Sequence, residues 1–333
     1  MQRRKLGPLE VSAIGYGAMG LEGYYGSIGQ ADAIETIRHA LDCGITLLDT
    51  ADAYGDGHNE ALLAQAINGR NRDAIVIATK FGIVFDPDER GTSLTTGWGF
   101  SLNINGRPEY AQRALDASLK RLGVEYIDLW YLHYPDPATP IQETVGAMAE
   151  QVHAGKVRYL GLSNVTAEQV RHAHEVHPIS AVQYEYSLWR REAEQTLLPT
   201  TRDLGIGCVA WGPLGTGFLA GMTRVAEDDF RYHNPRYQGE NRQHNEERFA
   251  PLSDMAKELG ITAAQLALAW LLHQGSNIVP IPGTRQAARV EENAAAVEIV
   301  LTPEHLARID QLAPAGLHVE TPWCKTRDVT SDA

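Results

Sequence analysis

Cysteine is scarce in this 333-residue chain, and the three present, Cys43, Cys208 and Cys324, are far apart and in no C-x-x-C pairing. Such spacing fits neither a disulfide framework nor a zinc site and points to a reducing compartment. Positive charge is short as well, with 29 Lys and Arg against 42 Asp and Glu, a formal charge of −13. That balance argues against a nucleic-acid partner, whose affinity would come from basic groups on the phosphate backbone. Long apolar runs are missing: the most apolar helical stretch, TAAQLALAWLLHQG (262–275), is too short and too polar-flanked to span a bilayer. The opening MQRRKLGPLEVSAIGYG has basic residues but no sustained apolar segment after them, so it does not read as a signal peptide. A cytoplasmic chain with no membrane partner is expected. No linker rich in Pro, Gly or Ser divides it, which predicts one domain over residues 1–333.

What is abundant is alternation. Short β-branched or aromatic runs alternate about eight times with amphipathic helical patterns. The runs are AIGYG (13–17), ITLLD (45–49), AIVIATK (74–80), IDLWYLH (127–133), VRYLGLS (157–163), SAVQYEY (180–186), GCVAW (207–211) and NIVPIPG (277–283). Most are nearly continuous in apolar residues, as parallel strands buried on both faces should be. Eight β-then-α units predict an α/β fold of the (β/α)8 TIM-barrel type, with a doubly wound open sheet as the alternative. RRKLGPLEVS predicts an N-terminal hairpin turning at Gly7-Pro8. Residues 82–106 and 212–247 read as long irregular loops, which in a barrel rise from the C-terminal face where active sites sit.

Polar residues that end strands then converge on one mouth. Asp49 closes the second run, Lys80 the third and His133 the fourth, while Tyr54 follows Asp49 in the loop. Any one strand-end lysine reads most simply as a solvated cap; the set of four says more. A phenol ordinarily titrates near pH 10, and a neighbouring ammonium favours its phenolate and lowers that value. A carboxylate beside the lysine keeps the ammonium charged and placed, and a histidine can orient a substrate oxygen. Together they suit protonation of a developing alkoxide, with no hydride source of their own, so reducing equivalents would come from a cofactor.

The motifs DTADAYG, ATK and WYLH resemble those of the aldo-keto reductases, and the likeness runs from KLGPLEVSAIGYGAMG to LTPEHLARIDQL. AGKVRYLGLSN, VQYEYSL, AWGPLGTGFLAG and PIPGTR with RVEENAAA also match in order, and the style of text is similar to the bacterial and fungal pyridoxal reductase-like branch. The resemblance implies a TIM barrel, NADPH as cofactor and a small-molecule carbonyl as substrate. It implies Tyr54 as general acid, Lys80 and Asp49 as its tuning pair, and His133 as carbonyl orienter. For the cofactor it implies Gly17, Ala18, Met19 and Asp49 near the start. Ser163, Asn164 and Gln183 would hold the nicotinamide carboxamide, with Trp211 stacked on the ring. Gly212, Pro213, Leu214, Gly215 and Gly217 would follow the pyrophosphate. Gly283, Thr284, Arg285, Arg289, Glu292 and Asn293 would grip the adenosine end. Tyr25, Trp98 and Phe100 are candidate substrate walls.

Departures and alternatives accompany this reading. Many members of that branch carry LSE where this chain has Ser163-Asn164, and an arginine often follows the histidine where this chain has YPDP. GPLGTG is not G-x-G-x-x-G, so no Rossmann fingerprint competes. A 2′-phosphate needs cationic partners, so Arg285 and Arg289 favour NADPH over NADH. His172, His174 and His177 lack the i, i+4 spacing of a helical zinc pair and read as a solvated face. DDFRYHNPRY (228–237) reads either as a disordered loop or as a segment folding toward cofactor. Two other functions stay open: a cofactor-sensing regulatory module, as the channel β subunits of similar fold are, and a metal-dependent barrel hydrolase using Asp49 and His133.

Overall fold

The computed structural model describes residues 1–95, 101–222, 224–227 and 229–317. Two short strands, β1 (Arg3–Leu6) and β2 (Leu9–Ser12), pair antiparallel around Gly7-Pro8, where Gly7 takes a φ of +59°. This hairpin plugs one end of the sheet that follows. Leu6, Leu9 and Val11 pack into one apolar cluster with Leu47, Ala78, Leu129, Ala181, Val209 and Val279, the inward-facing residues of the large sheet.

That sheet holds eight strands: β3 (Tyr16–Gly17), β4 (Leu47–Asp49), β5 (Val76–Phe81), then, after three strands of a separate sheet, β9 (Ile127–Leu132), β10 (Val157–Ser163), β11 (Ile179–Glu185), β12 (Gly207–Trp211) and β13 (Ile278–Pro280). They lie in chain order, all parallel. The Gly15 N–H donates to Pro280 O at 2.9 Å and draws the last strand to the first, curling the sheet into a barrel. Every residue of β9 is buried, as the unbroken apolar run predicts.

Around the sheet run α1 (Gln30–Asp42), α2 (His58–Ile67), α3 (Pro108–Leu122), α4 (Ile141–His153), α5 (Ala167–Val176), α6 (Leu197–Asp203), α7 (Gly239–Glu258), α8 (Ala263–His273), α9 (Ala287–Ala295) and α10 (Pro303–Leu312). Several starts are written locally: Thr166 with Gln169 and Thr262 with Gln265 form capping boxes that satisfy the first free N–H groups of α5 and α8. The largest apolar cluster fills the layer between these helices and the strands.

Three sequence expectations change. The strand expected over 13–17 shrinks to Tyr16–Gly17, because Ala13 and Ile14 pack outward against Leu268 and Leu272. Residues 82–106 are not wholly irregular. They contain a small antiparallel sheet of β6 (Ile83–Val84), β7 (Thr92–Thr95) and β8 (Ser101–Ile104), whose Ile83 and Ile104 bury against Ala53 and Tyr134. The expected loop 212–247 ends early, since α7 begins at Gly239. A sparse apolar pattern hides that start, where buried positions such as Asn245 are polar.

Candidate active site

All three strand-end residues lie at the C-terminal ends of adjacent parallel strands, β4, β5 and β9, so register alone gathers them. Lys80 is fully buried, and its ammonium donates to Asp49 Oδ1 at 2.6 Å, Thr50 O at 2.7 Å and Tyr54 Oη at 3.3 Å. The other Asp49 oxygen accepts from Gln183 Nε2 at 2.6 Å, reaching from β11 across the barrel. The Tyr54 ring stands edge-on to the His133 imidazole, with centroids 5.9 Å apart. Tyr134 stacks on the other side of that imidazole at 5.4 Å. The structure therefore brings Asp49, Tyr54, Lys80 and His133 into one cluster.

Burial governs the charges here. Desolvation pushes the Lys80 ammonium down and the Asp49 carboxyl up, and their mutual attraction opposes both shifts. The 2.6 Å contact and the Gln183 amide favour the ion pair. Burial, with Asp49 next, holds the Tyr54 phenol well above the ordinary range. The sequence reading expects the nearby ammonium to bring this phenol down; in the structure desolvation outweighs it, and Tyr54 keeps its proton. Burial and then the Lys80 charge hold His133 well below the usual imidazole range, so the ring is neutral. Among the described residues its buried Nδ1 has no hydrogen-bond partner, an arrangement that a bound polar group would complete.

Next around the barrel, Ser163 ends β10 and Asn164 follows it. Asn164 sits at φ +54°, a left-handed position that asparagine tolerates, and its amide donates to His133 O at 3.0 Å and Ser163 Oγ at 3.1 Å. With Gln183 these residues make a polar shelf beside Asp49. Trp211 ends β12 half-buried, paired in register with Glu185. Beyond it Gly212, Gly215 and Gly217 take φ values of +61°, +56° and +107°, and Thr216 between them takes +57°. A β-branched residue is strained there. Thr216 O accepts from Arg231 Nη1 and Tyr237 Oη, both at 3.0 Å, which holds the strained turn. Pro213 and Leu214 complete it.

At the seam, Gly17 and Gly283 approach so closely that a Cβ on Gly17 would lie 2.7 Å from Ile281 O. Only glycine fits that contact. Ala18 and Met19 start the short 3-10 helix that follows, Ala18–Glu22. Thr284 O accepts from the Tyr16 phenol at 2.6 Å, and Arg285 Nη1 donates to Ser27 O at 2.6 Å. Arg289 pairs with Glu292 one turn on, while Asn293 is buried in α9. The shelf, the left-handed glycine turn and the cationic end line one rim, and these groups fit an elongated polar cofactor with an anionic middle and end.

The described part of the segment 228–237 forms two short 3-10 turns, Phe230–His233 and Pro235–Tyr237. Arg231 pairs with Asp229 at 2.6 Å and lies over the Tyr25 ring at 4.4 Å; Arg236 pairs with Glu185 at 3.3 Å and covers the Trp189 ring. Tyr25 thus packs at the mouth beneath a guanidinium. Trp98 and Phe100 lie outside the described residues. Sequence reasoning passes over Thr50, Glu185, Arg231 and Arg236. The signal for Glu185 is an acid closing a barrel strand, as Asp49 does. His174 Nδ1 accepts from Ile179 N at 3.1 Å, a local structural bond. Among the described residues, no group of three or more His, Cys, Asp or Glu side chains is disposed to hold a metal ion, and no helix is long and apolar enough to cross a membrane.

Comparison with known proteins adds to this geometry. The sequence profile of the aldo/keto reductase family matches residues 13–314. A Glycine max protein described as probable aldo-keto reductase 1 is 42% identical over 322 residues, covering 95% of this chain and 90% of that protein. The glycerol dehydrogenase of Gluconobacter oxydans superposes with a TM-score of 0.83 at 28% identity, over 99% of this chain and 98% of its own. An aldo-keto reductase from Klebsiella pneumoniae, solved with NADPH, superposes with a TM-score of 0.73 at 29% identity, over 97% and 99%.

Proposed function

The chain belongs to the aldo-keto reductase family of oxidoreductases, and from that premise we propose that it reduces aldehydes or ketones to alcohols with NADPH, as a member of the pyridoxal reductase-like branch. The observation that carries the proposal is one buried ammonium joined to both Asp49 and Tyr54, with the neutral His133 ring against that tyrosine.

When bound, the nicotinamide supplies the hydride. The chain's own residues do the rest. His133, held neutral by burial, donates an N–H to the carbonyl oxygen and fixes its direction. Tyr54, whose phenol keeps its proton, transfers it to the oxygen as negative charge develops there. Lys80, 3.3 Å from that phenol oxygen, stabilises the tyrosinate left behind. Asp49, with one oxygen on Lys80 and the other on Gln183, holds the lysine in place and touches no substrate. Ser163, Asn164 and Gln183 offer the hydrogen bonds that would seat a carboxamide. Trp211 would cover the ring, the 212–217 turn would carry the pyrophosphate, and Arg285 with Arg289 would meet a 2′-phosphate.

The test is direct. Purified protein is mixed with NADPH and a panel of aromatic, aliphatic and dicarbonyl aldehydes, pyridoxal included, and loss of NADPH absorbance is followed before and after chelation. Chelator-resistant turnover that Tyr54→Phe abolishes supports the reductase. Cofactor binding without turnover on any carbonyl would instead mark a regulatory module, and equal or better turnover with NADH would remove the preference for NADPH.

A further inference from the structure

Behind the inward-facing cluster lies a second set of buried polar groups that the chemistry above does not use. Successive residues of a strand point to opposite faces, so Lys80 faces the barrel interior while Thr79 faces the helices. Both Thr79 and Glu60, near the start of α2, are fully buried. Thr79 Oγ1 donates to Glu60 Oε1 at 2.6 Å, and the second Glu60 oxygen accepts from Arg121 Nε of α3, also at 2.6 Å. The residue next to Glu60 repeats the pattern on the neighbouring strand: Thr50 Oγ1, just past Asp49, donates to Asn59 Oδ1 at 2.7 Å. Two consecutive residues of α2 therefore grip the two residues that adjoin Asp49 and Lys80, from outside the barrel. Gly57, at φ +84°, leaves the space through which Arg121 passes; a Cβ there would lie 2.5 Å from the arginine Nε.

A buried carboxylate is costly to keep unless its neighbours require it, and an apolar pair of the same shape would pack this layer without desolvating a charge. We propose that Glu60, acting through Thr79, is a positioning residue for Lys80, and that Asn59 does the same for the Asp49 end through Thr50. The inference rests on the reductase reading, since it assigns these residues to the alignment of that site. The charged and titratable groups around Lys80 are Asp49 at the end of β4, Asp52 and Tyr54 in the loop after it and His133 just past β9, with Glu60 of α2 and then Arg121 behind the strand. Asp49, Asp52 and Glu60 all favour the ammonium, against burial. Among the described residues one buried Asp52 carboxylate oxygen has no partner, and burial together with Glu60 keeps that carboxyl well above its usual range. Glu60, paired with Arg121 at 2.6 Å, is the ion-paired carboxylate on the outer side of the strand that carries the lysine.

Three variants of the full chain test this: Glu60→Gln, which keeps an acceptor for Thr79 and removes the charge; Thr79→Val, which removes the hydrogen bond; and Thr79→Ser, which restores it. Two readouts apply: steady-state kcat and KM, and the titration of the Lys80 ammonium by nitrogen NMR of labelled lysine, assigned by its loss in Lys80→Met. Glu60→Gln is expected to move the Lys80 titration, and with it the alkaline limb of carbonyl reduction, to lower pH. Thr79→Val is expected to lower kcat roughly ten- to a hundredfold while KM for NADPH holds, because misplacing a reacting group acts on the chemical step. Thr79→Ser should recover the parental kcat. A Lys80 titration unchanged by Glu60→Gln, or a Thr79→Val enzyme with parental kcat, overturns the proposal. The titration decides even where Thr79→Val fails to fold. A parent that reduces no carbonyl removes the reductase reading and leaves the titration to judge the clamp.

Discussion

Two aspartates, Asp49 and Asp128, are buried to nearly the same degree at opposite ends of the barrel strands, and they are handled differently. Asp128, near the start of β9, accepts from Arg72 Nη2 at 2.6 Å, the Ile77 N–H at 3.0 Å and Arg158 Nη1 at 3.2 Å. Both arginines reach water, Arg158 with half its side chain exposed, and both lie over the Tyr126 ring. Asp49 faces a lysine with no exposure at all, whose last N–H points at a phenol set against an imidazole. One end ties strands together with its charges vented to solvent. The other seals a cation inside, against a phenol that stands edge-on to an imidazole, so its charge bears on groups that can move a proton. Burial of a charge is thus a poor guide to function by itself; what its partner is left free to do is a better one.

The comparison breaks most sharply under paired mutation. Tyr54→Phe should lower kcat about 10²–10⁴-fold, the usual worth of a positioned acid, with NADPH affinity retained in fluorescence titration. Asp128→Ala should do the reverse, costing about 3 kcal/mol in denaturant unfolding, as breaking a buried pair does, with kcat per folded molecule unchanged. Loss of activity from the second at full folding would erase the distinction. Lys80→Met should come next, with kcat reduced about a hundredfold and the alkaline limb of the pH profile lost, because the ammonium that stabilises the tyrosinate is gone. An unchanged profile would mean that Lys80 does not tune Tyr54.

Acidity probes the same contrast more gently. His133 is held below the usual imidazole range, so kcat for reduction should show no limb near pH 6.5. The sign for stability follows from linkage. Below about pH 6.5 the unfolded chain takes up a proton that the folded ring refuses, so stability falls as pH falls through that range. His133→Gln should flatten that slope in urea titrations at several pH values. The smallest effect is expected at the far rim: Arg285→Ala should raise KM for NADPH about tenfold, the worth of one charge-assisted hydrogen bond, and leave KM for NADH alone. Equal effects on both cofactors would place Arg285 elsewhere than at a 2′-phosphate.

Much of this was legible in the chain. The hairpin was visible in Gly7-Pro8, and the barrel strands in unbroken apolar runs, because parallel strands buried on both faces leave that mark. Asp49, Lys80 and His133 could be grouped because each ends such a run, and parallel strands bring their ends together. The strand at Tyr16–Gly17 was overextended, since Ala13 and Ile14 look the same whether they face a sheet or a helix. The start of α7 carries no local signal, because a helix with Asn245 and Phe249 on its buried face has no clear period. Glu60 and Arg121 were unreadable as a pair: their meeting depends on how α2 and α3 pack, and no local spacing encodes it. The sign of the Tyr54 shift also lay beyond the sequence, which shows a neighbouring lysine but not how dry the pocket is.

The seam between β3 and β13 carries a consequence for how the molecule comes to exist. The Gly15–Pro280 bond and the Gly17–Gly283 approach join segments from nearly opposite ends of the chain. Contacts so distant along the chain demand the largest loop closure and slow folding most. On the ribosome β3 can pair early with β4, but β13, which closes its other side, emerges only after the rest of the sheet. The Gly17 side of the cradle is therefore complete only once β13 closes on it.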